Sequence, residues 1–186
     1  MTVRCRWAES SDLMIAYHDR EWGVPVHNGQ QLFGKLILDG FQAGLSWSTI
    51  LNKRDNFLAA FDGFNPERMA RYGKRDITKL LKNPGIIRNR QKIESSVKSA
   101  RAYLKLVDEG TSFDAFLWAF VGGAPLRHAR KTTRSVPAET KESQAMSKAL
   151  VEKGFRFVGP TICYAFMQAV GMVNDHLVTC FRHAEL

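Results

Sequence analysis

Cysteine is scarce in this chain: Cys5, Cys163 and Cys180 are the three present among 186 residues. An odd, small number, with no secretory apolar segment near the first residue, argues against a disulfide-stapled fold and predicts a reducing, cytoplasmic setting. Long apolar runs are also missing. None approaches the ~20 residues that cross a bilayer, so no membrane span is expected. Strand-like alternation is rare, and neither an internal repeat nor a low-complexity tract interrupts the chain. Acidic residues are few, 18 against 27 Lys+Arg, for a formal net charge of +9. That excess suits a polyanionic partner, nucleic acid or an anionic membrane surface, although a merely solvated basic surface has the same composition.

What is present is apolar and helical in pattern. Four Trp and twelve Phe exclude a disordered basic tail. The length fits a single domain over residues 1–186, or two lobes sharing one core, and is enough to bury most of the apolar surface. In QQLFGKLILDGFQAGLSWSTIL (30–51), Leu32, Phe33, Leu36, Ile37 and Phe41 fall on one helical face. RQKIESSVKSARAYLKLVDEG reads as a long helix stopped by Gly110. Ser112 is placed to cap the next helix, and Pro160 to start the one running through PTICYAFMQAVGMVNDHLVTC. The expected class is therefore all-α. Residues 122–140, with Arg127, Arg130, Lys131 and Arg134, read as an exposed loop, either a solvated connection or an arm contacting phosphate.

The remaining cysteines pose a question of pairing. His176 and Cys180 are four apart, which on a helix places both on one face. Cys5 and His18 form a second pair at the opposite end of the chain. Together they make a Cys2His2 complement suited to tetrahedral zinc. Spacing alone leaves the commoner fate open, a buried thiol and a hydrogen-bonded imidazole. Cys163, among Ile162, Tyr164 and Phe166, reads as core; His27, His128 and His183 lack partners in sequence and read as surface.

LLKNPGIIRNRQKI (80–93) reads as helix, tight turn and helix, with Arg88, Arg90 and Lys92 nearby. Gly85 allows close backbone approach to an anion, as in a helix-hairpin-helix gripping a DNA phosphate; an ordinary αα-corner has the same pattern. Tyr17, Trp22 and Trp47 lie near Asp39 and Gln42 in two aromatic-rich blocks, as core or as walls for a flat base.

RCRWAESSDLMIAYHDREWGVP, QAGLSWSTIL, GIIRNRQKI and FVGPTICYAFMQAVGMVNDH, taken together and in this order, resemble the 3-methyladenine DNA glycosylase I family of the helix-hairpin-helix glycosylase superfamily. The resemblance runs over essentially the whole chain. It implies a two-lobed helical glycosylase fold and hydrolysis of the N-glycosidic bond of 3-methyladenine in alkylated double-stranded DNA. It also implies one structural Zn2+ on Cys5, His18, His176 and Cys180. Tyr17, Trp22 and Trp47, with Trp7, would hold the flipped base, Asp39 would contact it, and Gln42 and Leu45 would fill the gap left in the duplex. The hairpin at Gly85 to Ile87, with Arg88, would anchor the backbone of a DNA held by a monomer. The family usually has Glu at the position of Asp39, so this carboxylate is one methylene short. Bifunctional relatives attack the sugar with a lysine soon after the hairpin; Asn89 stands four residues after Gly85 and forms no Schiff base. Monofunctional chemistry is therefore expected, with Asp108 left as surface charge. The competing readings are a non-enzymatic zinc-stabilised damage-binding module, which needs no carboxylate beside its aromatics, and a zinc hydrolase, which needs an open metal position.

Overall fold

The computed structural model describes residues 2–186, and the capping residues anticipated from the sequence mark its helix ends. The helices are α1 (Asp12–Arg20), α2 (Gly29–Gln42), α3 (Trp47–Leu51), α4 (Arg54–Ala60), α5 (Pro66–Ala70), α6 (Lys74–Lys82), α7 (Arg90–Asp108), α8 (Phe113–Trp118), α9 (Lys141–Glu152), α10 (Pro160–Ala169) and α11 (Phe181–Glu185). Ser112 accepts from the Ala115 amide at the start of α8, and Asn89 accepts from the Lys92 amide at the start of α7. Each such cap satisfies an orphan donor and contributes about 1 kcal/mol. Pro160 is the first residue of α10, and Gly110 follows the end of α7 at φ 87°.

The core forms around α2. Its Leu32, Phe33, Leu36, Ile37 and Phe41 are all buried, as their spacing predicts. α10 packs on α2, α9 on α10, and α7 runs along α5. Phe41, Phe57, Phe61 and Phe64 form a chain of rings with successive centroids 4.8, 6.0 and 5.8 Å apart. A smaller cluster of Met14, Tyr17 and Leu51, with Trp7, Trp22 and Trp47 against it, lies beside this core.

The structure departs from the sequence reading at several points. The helix begun at Pro160 stops at Ala169, so His176 and Cys180 are not on a helical face. Gly171 turns the chain at φ 75°, and a Cβ there would sit 2.4 Å from the Pro25 nitrogen. After that turn, β2 (Val173–Asn174) pairs in parallel with β1 (Leu126–Arg127), and Arg130 bridges Leu177. The fold is thus mostly helical rather than purely so, and part of the 122–140 loop is tied down by this ladder. Lys92, grouped in the sequence with the charges near the hairpin, is not a surface cation. It is buried, and its Nζ donates to Phe41 O at 2.8 Å and Ala43 O at 2.6 Å, closing the C-terminal end of α2. Among the described residues no helix is long and apolar enough to cross a membrane.

Candidate active site and metal cluster

The two ends of the chain meet. Phe181 N donates to Val3 O at 3.0 Å, and Arg4 forms an ion pair with Asp19 at 2.8 Å. This closure buries Cys5, His18, His176 and Cys180 together, with one ligand atom from each lying within 4.8 Å of the others. Cys180 Sγ is 3.4 Å from His18 Nε2 and 3.5 Å from His176 Nδ1, and Cys5 Sγ is 3.8 Å from His176 Nδ1. A tetrahedral ion with bonds of about 2.3 Å to sulfur and about 2.0 Å to nitrogen sets sulfur–nitrogen edges of about 3.5 Å. The cluster therefore matches the size of such a site and could hold a metal. The far side of each imidazole is occupied: His18 Nδ1 by the Asp19 carboxylate at 2.7 Å, and His176 Nε2 by Trp22 O at 3.1 Å. Such partners orient histidine ligands. Burial pushes the Cys5 thiol up to about 12 and the His176 imidazole down to about 4. Burial thus favours neutral Cys5 and His176 in the bare site, and a bound cation would have to draw the Cys5 proton off. The i,i+4 spacing of His176 and Cys180 does bring them together, but through a turn after β2 rather than a helix, with Cys180 just before the first residue of α11.

A cavity of about 450 Å³ opens beside this cluster. Trp7, Tyr17, Trp22 and Trp47 all line it, as do Asp39 and Gln42. Its volume is in the range of small-molecule sites. Trp22 stacks edge-on to His176 with centroids 4.5 Å apart and lies 5.0 Å from Trp7, so the clasp of the chain ends braces one wall. Tyr17 and Trp47, with centroids 5.3 Å apart, form another. Leu45 is exposed beyond Gln42, on the turn that Gly44 makes at φ 78°.

Asp39 is 1% exposed. Its Oδ1 accepts from Lys35, one helical turn earlier, while Oδ2 has no partner among the described residues. Lys35 Nζ also sits 4.0 Å from the centre of the Trp47 ring. Burial drives the Asp39 carboxyl up and the Lys35 ammonium down, and their attraction opposes both shifts. Burial likewise raises the Tyr17 phenol, with the Asp39 charge adding to it. Lys35 was missed in the sequence, although its i,i+4 spacing to Asp39 marks an ion pair on one helical face.

Asp175 was missed as well. It is buried in the cavity wall and accepts from Tyr164 OH, Gln168 Nε2 at 2.9 Å, Arg130 Nε at 3.0 Å and His128 Nδ1 at 2.8 Å. Burial alone would raise its carboxyl; these hydrogen bonds outweigh that and hold it below the usual range. The network turns Arg130 and His128 inward, leaving Arg127, Lys131 and Arg134 exposed on the loop. His128 and His183 are accordingly half-buried, His183 Nε2 meeting His128 O at 3.0 Å, and His27 pairs with Asp114 at 2.9 Å; the expectation of partnerless histidines is corrected. A donor-rich loop 45 residues from its acceptor leaves no local sequence signal.

The turn between α6 and α7 carries Gly85 and Ile87, half-buried, and Arg88, exposed. The Gly85 amide is taken by Asn83 Oδ1 at 2.8 Å, while the Ile87 and Arg88 amides have no acceptor among the described residues. Asp108 is exposed at the end of α7.

With this geometry in view, comparison with known proteins is informative. The methyladenine glycosylase family model matches residues 7–183. The Escherichia coli protein DNA-3-methyladenine glycosylase 1 is 48% identical over 177 residues, 95% of each chain. A crystal structure of 3-methyladenine DNA glycosylase I superposes with a TM-score of 0.95 at 48% identity, covering 96% of this chain and 98% of that one. A tyrosine-to-phenylalanine variant of a 3-methyladenine DNA glycosylase I, solved in complex with 3-methyladenine, gives a TM-score of 0.92 at 34% identity over 96% of each chain. Near-complete coverage by the family model, by sequence and by fold leads to one conclusion: the chain belongs to the methyladenine glycosylase family.

Proposed function

We propose that the protein is a monofunctional DNA glycosylase that hydrolyses the N-glycosidic bond of 3-methyladenine in alkylated double-stranded DNA. The observation that carries this reading is the buried Asp39, its Oδ2 without a partner, in the wall of a cavity lined by four aromatic side chains. N3-methylation gives the base a positive charge, so it already leaves readily. Such a reaction needs extrusion of the nucleotide and a site that holds the charged base while water attacks the sugar. The electron-rich faces of Tyr17, Trp22 and Trp47, with Trp7, favour a cationic purine over a neutral one. Asp39 supplies the acceptor. Its shortness relative to the usual Glu is met by a backbone shift or by one bridging water.

In this reading Gln42 and the exposed Leu45 fill the gap left by the flipped nucleotide. The turn at Gly85 to Ile87 acts as a helix-hairpin-helix, offering the free Ile87 and Arg88 amides to a phosphate, with the Arg88 side chain adding charge. Cys5, His18, His176 and Cys180 hold one structural Zn2+, supported by the edge lengths and the oriented imidazoles. Four protein ligands leave no position for water, so the ion's part is to lock the chain ends and brace the Trp22 wall. The chain works as one domain and a monomer, its two lobes meeting at the cavity, in the cytoplasm. Asn89 caps α7 and Lys92 is tied to α2, so neither position after the hairpin offers a lysine to attack the sugar, and Lys35 in the cavity wall is held by Asp39. Borohydride treatment during turnover should accordingly trap no protein–DNA adduct.

The test is incubation with methylated duplex DNA and identification of the free bases released. Release of 3-methyladenine is expected; binding without release would instead identify a damage-binding module.

A further inference from the structure

Lys35 stands four residues before Asp39, and α2 turns both side chains into the cavity. An ammonium has three N–H donors. One is given to Asp39 Oδ1, and the others have no hydrogen-bond acceptor among the described residues. Asp39 Oδ2, beside it, has no donor. Both side chains line the cavity, Lys35 Nζ against the Trp47 ring and Asp39 Oδ2 buried without a donor, so the wall holds an unsatisfied donor and an unsatisfied acceptor side by side. A ring edge carrying an acceptor next to an amino group satisfies both at once. Adenine has that edge, in N7 and the N6 amino group. Guanine has N7 and O6, two acceptors, and O6 would face the carboxylate lone pairs.

We propose that Lys35 is a specificity-determining residue that donates to N7 of the bound purine while Asp39 accepts from its N6 amino group. This rests on the glycosylase reading and assigns selection of adenine to the ion pair rather than to the carboxylate alone. The ammonium offsets part of the Asp39 charge, so preference for a positively charged base is shared between the carboxylate and the aromatic walls. The hydrogen-bond pattern then chooses among purines. A lysine that served solely to neutralise a buried carboxylate would be indifferent to the atom at position 7 of the base.

The test compares binding of free 3-methyladenine with that of 3-methyl-7-deazaadenine, which has C–H in place of N7, followed by tryptophan fluorescence. The wild-type protein should favour 3-methyladenine by about tenfold, the effect of one charge-assisted hydrogen bond. K35M should lose affinity for 3-methyladenine and bind the two bases alike. K35R, which keeps charge and donor, should retain a preference. Equal affinities in the wild type, a preference surviving in K35M, or K35M binding both bases more tightly would overturn the assignment. Each preference is a ratio within one preparation, so a reduced folded fraction cancels, and the wild-type comparison needs no variant. Base release by the wild type from methylated duplex DNA is measured alongside. No release would sink the glycosylase reading, whereas release with equal affinities for the two bases would sink only the role of Lys35.

Discussion

Replacing Asp39 with Asn removes one charge from the cavity and changes little else in shape. The carboxylate is 1% exposed, so water screens it poorly. A unit positive charge on a base about 5 Å away, at an effective dielectric of about 20, interacts with it by about 3 kcal/mol. As the glycosidic bond breaks the base becomes neutral and the positive charge passes to the sugar, so this attraction acts on capture of the flipped cationic base, and its loss lowers release at subsaturating enzyme about 100-fold. Lys35 complicates the substitution, since Asn leaves a buried ammonium without its counter-charge. The assay is single-turnover release of 3-methyladenine from methylated duplex DNA, normalised to folded protein by thermal melting. Asp39→Asn should fall about 100-fold, and Asp39→Glu, which keeps charge and restores reach, should match or exceed the wild type. Equal rates for Asp39→Asn and the wild type would refute the functional carboxylate and the charge argument together.

Other consequences are simpler to measure. Protein purified without added metal should contain one equivalent of zinc, and its removal by a chelator should abolish folding and base release together; loss of activity in an intact fold would point to a catalytic ion instead. Gly171→Ala should destabilise the fold by several kcal/mol in denaturant titration, about 3 or more, because φ is 75° and the new Cβ would meet backbone at 2.4 Å. Arg88→Ala should weaken binding to any duplex and reduce the salt dependence of log K by about 1, leaving affinity for free 3-methyladenine unchanged.

Local pattern determined a large part of this molecule. The apolar face of α2, the Ser112 cap, the Pro160 start and the Gly110 stop are set by interactions within a few residues, so periodicity and capping rules recover them. Cys163 was legible as core for the same reason. The i,i+4 rule would have revealed the Lys35–Asp39 pair had it been applied there. Tertiary structure alone decided the rest. Close passage of the 24–25 backbone forces the turn at Gly171, which ends α10 early and makes a strand and turn of what reads as helix. The same passage of chain brings His176 and Cys180 to Cys5 and His18 from 162 residues away in sequence for the Cys180–His18 pair. Lys92 turned inward because the α2 carbonyls needed donors, and Arg130 and His128 because Asp175 did. Buried polar groups must find partners wherever the fold supplies them, and that demand is satisfied across space rather than along the chain.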